Sequence, residues 1–204
     1  MLPRHAIKEI PVPIQIYLYK RGMIMFSESM ETEALILKRI SPDDRGFIFR
    51  QFSDDAVNRY LFAAEPMQAM QEADELIDFY TAPQPRRQQR WILILKDGGE
   101  KIGTCGFHCW DWDARRAEVG YDLQSAFWGR GLMTQAMQAV LSVMANRLEI
   151  QTADACIYTE NLPSIRLAQR LGFTFSGEFE TCIFRGEPYR HKIYTLDCGK
   201  YKVI

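Results

Sequence analysis

Three short apolar runs stand close together between residues 90 and 123, and a long amphipathic run follows them. The runs are RWILILK (90–96), KIGTCGFHCW (101–110) and AEVGYDL (117–123), parted by DGGE and DWDARR. Runs of this length, bounded by Gly and Asp turns, read as strands, and connections this short join antiparallel neighbours. GLMTQAMQAVLSVMANRL (131–148) then puts Leu132, Ala136, Ala139, Val140 and Val143 on one helical face. A β-meander that feeds such a helix buries the apolar face by laying it on the sheet. The expected fold is therefore α+β, with a mixed central sheet and helices on its faces.

The flanking segments fit the same plan. EALILKRI (33–40) alternates and reads as a strand. In SPDDRGFIFRQF, Ser41 is placed to cap a helix, Pro42 to open it, and Asp43 and Asp44 to sit at its positive end. SDDAVNRYL repeats the pattern with Ser53 as cap, and PMQAMQEADELIDFY predicts a third helix over 66–80. After the long helix, TADACIYT (152–159) is a strand and LPSIRLAQRLGF (162–173) a short helix closed by Gly172. FTFSGEF, ETCIFR and RHKIYTL read as three closing strands.

A length of 204 residues, 47% of them hydrophobic, suits one domain with a real core. Residues 1–29, with three prolines and no helical period, are set apart as an N-terminal extension, and the domain is assigned to 30–204. The 25 Lys and Arg against 26 Asp and Glu exclude a nucleic-acid binder driven by bulk charge. Arg86, Arg87 and Arg90 form the one dense basic run, which is read as solvated surface. Five cysteines without a CxxC or CxxH pair argue against a disulfide framework and against a zinc site. With no run of about 20 apolar residues and no signal-peptide pattern, a cytoplasmic protein is expected.

The chemistry centres on WGRG (128–131), which lies between a strand and a helix. One reading is a tight turn. The other is an anion cradle, because glycine lets backbone N–H groups approach a ligand and a helix N-terminus offers unpaired donors with partial positive charge. The spacing is neither a P-loop nor GxGxxG.

Four pieces in order decide between them. METEALILKRISPDD, KIGTCGFHCWDWDARRAEVGYDLQSAFWGRGLMTQAM, IYTENLPSIRLAQRLGFTFSGEF and YRHKIYTL together resemble the GNAT acetyltransferases, and within them the ribosomal-protein-alanine N-acetyltransferase branch. The resemblance spans roughly residues 30 to 197. It implies a GNAT fold whose sheet splays between the strands at 117–123 and 152–159, with acetyl-CoA bound as cosubstrate in the gap and no metal. Backbone groups around Leu123 would pair with the pantetheine arm, with Tyr121 packed beside it. Trp128, Gly129, Arg130, Gly131, Leu132, Met133 and Thr134 would surround the pyrophosphate. The superfamily pattern is departed from at Met133, which replaces a small residue, and the branch pattern at Arg190, where an acidic residue is often found.

Asn161 has two compatible roles, as the cap of its helix and as a hydrogen-bond partner of pantetheine; Ser164 is either a first-turn residue or the proton donor to the leaving thiolate. Glu118 is either the base that takes the amine's proton or the partner of Arg115 or Arg116 in a strand-end salt bridge. His108 is weighed as lining of the acceptor site against a hydrogen-bonded strand histidine, and Trp110 and Trp112 as substrate platforms against core or rim packing. Glu65 and Tyr80 are placed on the acceptor wall. The resemblance implies transfer to a primary amine, first a protein N-terminus, with a polyamine, amino acid or aminoglycoside as alternatives. A non-catalytic acyl-CoA-binding module and a plain interaction domain are the rival classes. A homodimer is compatible with the branch.

Overall fold

A computed structural model describes residues 29–62, 64–83 and 85–202. The proposed extension over 1–29 lies outside the described residues except for Ser29, which opens the first strand. The strands are β1 (Ser29–Glu31), β2 (Leu35–Arg39), β3 (Gln89–Leu95), β4 (Lys101–Asp111), β5 (Arg116–Leu123), β6 (Thr152–Tyr158), β7 (Thr174–Phe184) and β8 (Glu187–Asp197). They form one eight-stranded sheet in the order β1-β2-β3-β4-β5-β6-β8-β7. Every neighbouring pair is antiparallel except β5 and β6, which are parallel. The helices are α1 (Arg45–Ser53), α2 (Asp55–Asn58), α3 (Met70–Thr81), α4 (Leu132–Asn146) and α5 (Leu162–Arg170).

The alternation of strand side chains makes two cores. On one face, Ala136, Met137, Val140, Leu141 and Met144 of α4 pack over Leu35, Leu37, Trp91, Leu93, Phe107 and Val119. On the other, Ile92 and Ile40 meet Phe47 and Ile48 of α1 and Ala73, Ile77 and Tyr80 of α3. β3 is buried from both sides, which is why RWILILK is a nearly continuous apolar run. No helix among the described residues is long and apolar enough to cross a membrane.

Several boundaries differ from the sequence reading, each for a local reason. Ser41 precedes a 3-10 turn over Pro42–Asp44, and Asp44 is fully buried, accepting from Lys38, Lys101 and the Ser41 N–H. Ser53 does not cap α2; it closes α1 and donates its hydroxyl to the Met67 carbonyl. The cap is Asp54, whose carboxylate accepts from the N–H groups of Ala56 (2.7 Å) and Val57 (3.4 Å). An ionised acceptor suits the positive helix end better than a hydroxyl. Asp54→Ala is therefore expected to lower stability by about 1 kcal/mol, read by urea unfolding, with Ser53→Ala costing less.

The third helix starts at Met70 rather than at 66, because the Glu72 carboxylate accepts the N–H groups of Gln68 and Ala69 and sets the first turn there. The closing strands number two, not three. FTFSGEF and ETCIFR are one strand, β7, whose register shifts between Phe175 and Phe179 around Gly177, at φ +92°. Gly172 ends α5 at φ +93°, with the Phe173 N–H bonded to the Ala168 carbonyl and the Gly172 N–H to that of Gln169.

Candidate active site

The parallel ladder of β5 and β6 holds for three pairs, Arg116 with Thr152, Ala117 with Ala153 and Glu118 with Asp154, and then stops. Beyond it β5 stays with β4, and β6 with β8, so the two strands part. The gap is a cleft of about 370 Å³. Tyr121, Asp122 and Leu123 of β5 form one wall, and Asn161, Ser164, Arg166 and Arg170 from the start and face of α5 form the other. Trp128, Gly129, Gly131, Leu132, Met133 and Thr134 close one end, and Val57, Tyr60 and Leu61 cover it. The Tyr121 hydroxyl spans the gap to the Ser164 carbonyl at 3.4 Å.

The loop shape follows from its glycines. Gly129 and Gly131 sit at φ +75° and +76°, the left-handed region that costs other residues about 1–2 kcal/mol. A Cβ at either would meet nothing within 4 Å, so conformation rather than space selects glycine. Gly131 is the N-cap of α4 and has no side chain to bond the first-turn amides, and the first helical bond back is from Gln135 to the Gly131 carbonyl. The amides of Leu132, Met133 and Thr134 are therefore left for an external acceptor. Trp128 pins the loop by donating its indole N–H to the Leu123 carbonyl at 2.8 Å.

Arg130 turns away from the cleft: it is exposed, with its guanidinium 5.2 Å from the centre of the Phe127 ring, and does not line the cleft. Met133 lines the cleft and also packs into the α4 core. Basic residues come instead from α5. Arg166 and Arg170 are four apart and share a helical face. The sequence reading passed over them, although the spacing in SIRLAQR was visible.

Glu118 lies on the opposite face of β5 from Tyr121 and does not line this cleft. It stands at the last β5–β6 pair, where the strands begin to part. Burial, then the nearby Glu180 and Asp154, push its carboxyl up to about 7. Arg116 is bonded to Asp154 instead, so the strand-end salt bridge of Glu118 is not formed. Its cross-strand partner is His108, with Nε2 3.9 Å from Oε1. Burial and the charge of Arg90 lower the His108 pKa, so this imidazole is neutral where Glu118 titrates.

Cys109, at φ +50° in the irregular stretch between His108 and Asp111, places its sulfur 3.3 Å from His108 Nδ1. The donor atoms of His108, Cys109 and Glu118 lie within 4.8 Å of one another. The ring faces Cys109 with Nδ1 and Glu118 with Nε2.

Asn161 caps α5, its Oδ1 accepting the Ser164 N–H at 3.2 Å, which leaves its amide NH₂ for another acceptor. Trp110 is buried against Phe107, and Trp112 sits at the rim under Arg87. Tyr80 is not on an open wall; it is buried, and its hydroxyl accepts from Arg90 at 3.0 Å. Glu65 holds Arg185 of the β7–β8 turn in an exposed ion pair, tying the loop after α2 to that turn.

Comparison with known proteins agrees with this architecture. The family described as Acetyltransferase (GNAT) domain matches residues 34–174. An uncharacterized N-acetyltransferase of Bacillus subtilis, YoaA, is 33% identical over 169 residues, covering 82% of this chain and 95% of its own. Spermidine N(1)-acetyltransferase of Escherichia coli is 26% identical over 157 residues, 77% of this chain and 82% of its own. The spermidine N-acetyltransferase of Vibrio cholerae, solved in complex with CoA and spermine, superposes with a TM-score of 0.73 at 19% identity, over 83% of this chain and 99% of that one. A splayed sheet beside an uncapped helix start, and a family match that runs through both, make this chain a member of the GNAT family, an N-acetyltransferase.

Proposed function

We propose that this protein moves an acetyl group from acetyl-CoA to a primary amine by direct attack of the amine on the thioester. One observation carries the reading: the gap between β5 and β6 opens into the same cleft as the free amides at the start of α4. Backbone N–H groups from Gly129 to Thr134 would hold the pyrophosphate, with Arg166 and Arg170 supplying positive charge. The Asn161 amide would donate to the pantetheine arm. Acetyl-CoA supplies an activated acyl carbon, and the proton transfers fall to the protein.

An amine is mostly ammonium at neutral pH and must lose a proton before it attacks. Glu118, near 7, accepts that proton directly or through one water. As the new C–N bond forms and the C–S bond breaks, a β5 backbone N–H polarises the carbonyl and Ser164 gives a proton to the departing thiolate.

We place a protein N-terminal amine first among acceptors, within the ribosomal-protein-alanine branch that the sequence resembles. The Glu118 and His108 side chains are 34% and 28% exposed, which leaves the carboxylate within reach of an acceptor. Phe62 stacks on Tyr189, with Tyr158 against both, an aromatic surface that could hold the acceptor chain. A polyamine is the second reading. It is favoured by Glu180, which adds negative charge beside Glu118, and by the spermidine acetyltransferases among the similar proteins.

The test follows thiol release from acetyl-CoA with N-terminal Ala, Ser and Thr peptides and with spermidine. Release with either class is expected, reduced about tenfold by Ser164→Ala. Coenzyme A binding without turnover on any acceptor would make the chain an acyl-CoA sensor instead.

A further inference from the structure

β5 lines the cleft and carries Glu118, yet its outer half has a neighbour on one side only. From Val119 to Leu123 it pairs with β4 alone, because its ladder to β6 ends at Glu118. Asp122 compensates. Its carboxylate is buried, with Oδ2 accepting from Arg90 of β3 and from the Thr104 hydroxyl of β4, both at 2.5 Å. Oδ1 accepts from the Gln51 amide of α1 at 2.8 Å. Arg90, equally buried, donates further to Thr104 (2.6 Å) and to Tyr80 of α3 (3.0 Å). One carboxylate thus joins the open half of β5 to β3, β4 and α1, and Arg90 extends the cluster to α3.

Stability alone is a poor reason for such a cluster. Apolar residues of similar volume in place of a buried ion pair are often neutral or stabilising. The position is the better clue. Asp122 lines the cofactor cleft. On the far side, a Cβ built on Gly120 would lie 3.6 Å from His108 Nε2 and 3.9 Å from Arg90 Nη1, which sets the guanidinium beside the partner of Glu118.

We propose that Asp122 and Arg90 are positioning residues for acetyl transfer: their ion pair locks the unsupported half of β5 to α1 and α3, so that the thioester and the incoming amine meet in one geometry. This rests on the reading that the cleft takes acetyl-CoA and that the face of Glu118 takes the amine.

Four proteins test it: wild type, Arg90→Met, Asp122→Leu and the double variant, each measured for Tm, kcat and the KM for acetyl-CoA. Each single change strands a buried charge and is expected to lower Tm. The double change removes both charges and is expected to recover most of that loss, while kcat stays down by about tenfold or more and KM for acetyl-CoA moves less than about threefold. A double variant with recovered Tm and wild-type kcat would overturn the proposal. Should the double variant not fold, Thr104→Val, neutral and of the same shape, removes two bonds of the cluster; lowered kcat at steady KM supports the proposal and unchanged kcat overturns it. Wild-type turnover tests the reading of the cleft separately, since thiol release by wild type with no loss in the variants sinks this inference alone.

Discussion

Glu118→Gln is expected to lower kcat by about 10²- to 10⁴-fold while leaving coenzyme A binding unchanged. The change keeps the shape and removes the proposed proton acceptor, and the residue lies off the cleft between β5 and β6, so calorimetry with coenzyme A should not register it. The pH profile gives a sharper signature. With the carboxyl at about 7, wild-type kcat/KM should fall about tenfold per pH unit below that point, and this limb should vanish in the variant. A limb from the acceptor amine, higher in pH, should persist in both.

Stability should move in the opposite direction from activity. A carboxyl raised from 4.5 to about 7 by folding contributes stability that is complete below about 4.5 and is lost as pH rises through about 7. Above pH 7 the wild type carries an ionised carboxylate in a half-buried site beside Glu180 and Asp154. Glu118→Gln should therefore raise Tm at pH 8 relative to wild type and lose that advantage near pH 4. A variant that is inactive but less stable at pH 8 would mean that Glu118 holds the sheet together rather than taking a proton.

Gly131→Glu is expected to weaken acetyl-CoA binding by about 100-fold or more. Two effects add. The left-handed backbone at φ +76° costs a non-glycine residue about 1–2 kcal/mol. A carboxylate there would also compete for the free amides at the start of α4 and repel an incoming diphosphate, and like charges near 4 Å at a protein surface cost about 4 kcal/mol. Gly131→Ala carries the strain without the charge, and its Cβ has open space, so its loss should stay near tenfold. Equal losses for Ala and Glu would mean that loop shape alone matters. No loss for Glu, by calorimetry with acetyl-CoA, would remove the cradle from the mechanism.

Much of this is legible in the sequence. The meander, the long helix and the Gly129–Gly131 loop are local features, set by period and by glycine's freedom over a few residues. Asn161 as a cap and Gly172 as a stop are equally local. Cap choice is less so: Ser53 is the cap the sequence suggests, and only the N–H groups that the Asp54 carboxylate reaches give it the role instead. FTFSGEF and ETCIFR read as two strands divided between Phe179 and Glu180, yet pairing with β8 carries β7 through both.

By itself, the sequence determined the order and type of most strands and helices and the glycine loop between β5 and α4, since those depend on contacts a few residues apart, while the start of α3 and the continuity of β7 did not follow from it. Tertiary structure alone decided that Glu118 faces His108 and not Arg116, that Arg166 and Arg170 reach the cleft while Arg130 does not, and that Arg90 is a buried cation held by Asp122 and Tyr80 rather than part of a solvated loop. Those outcomes turn on strand register and helix placement, which bring together residues tens of positions apart. Burial and neighbouring charge then give each one its chemistry.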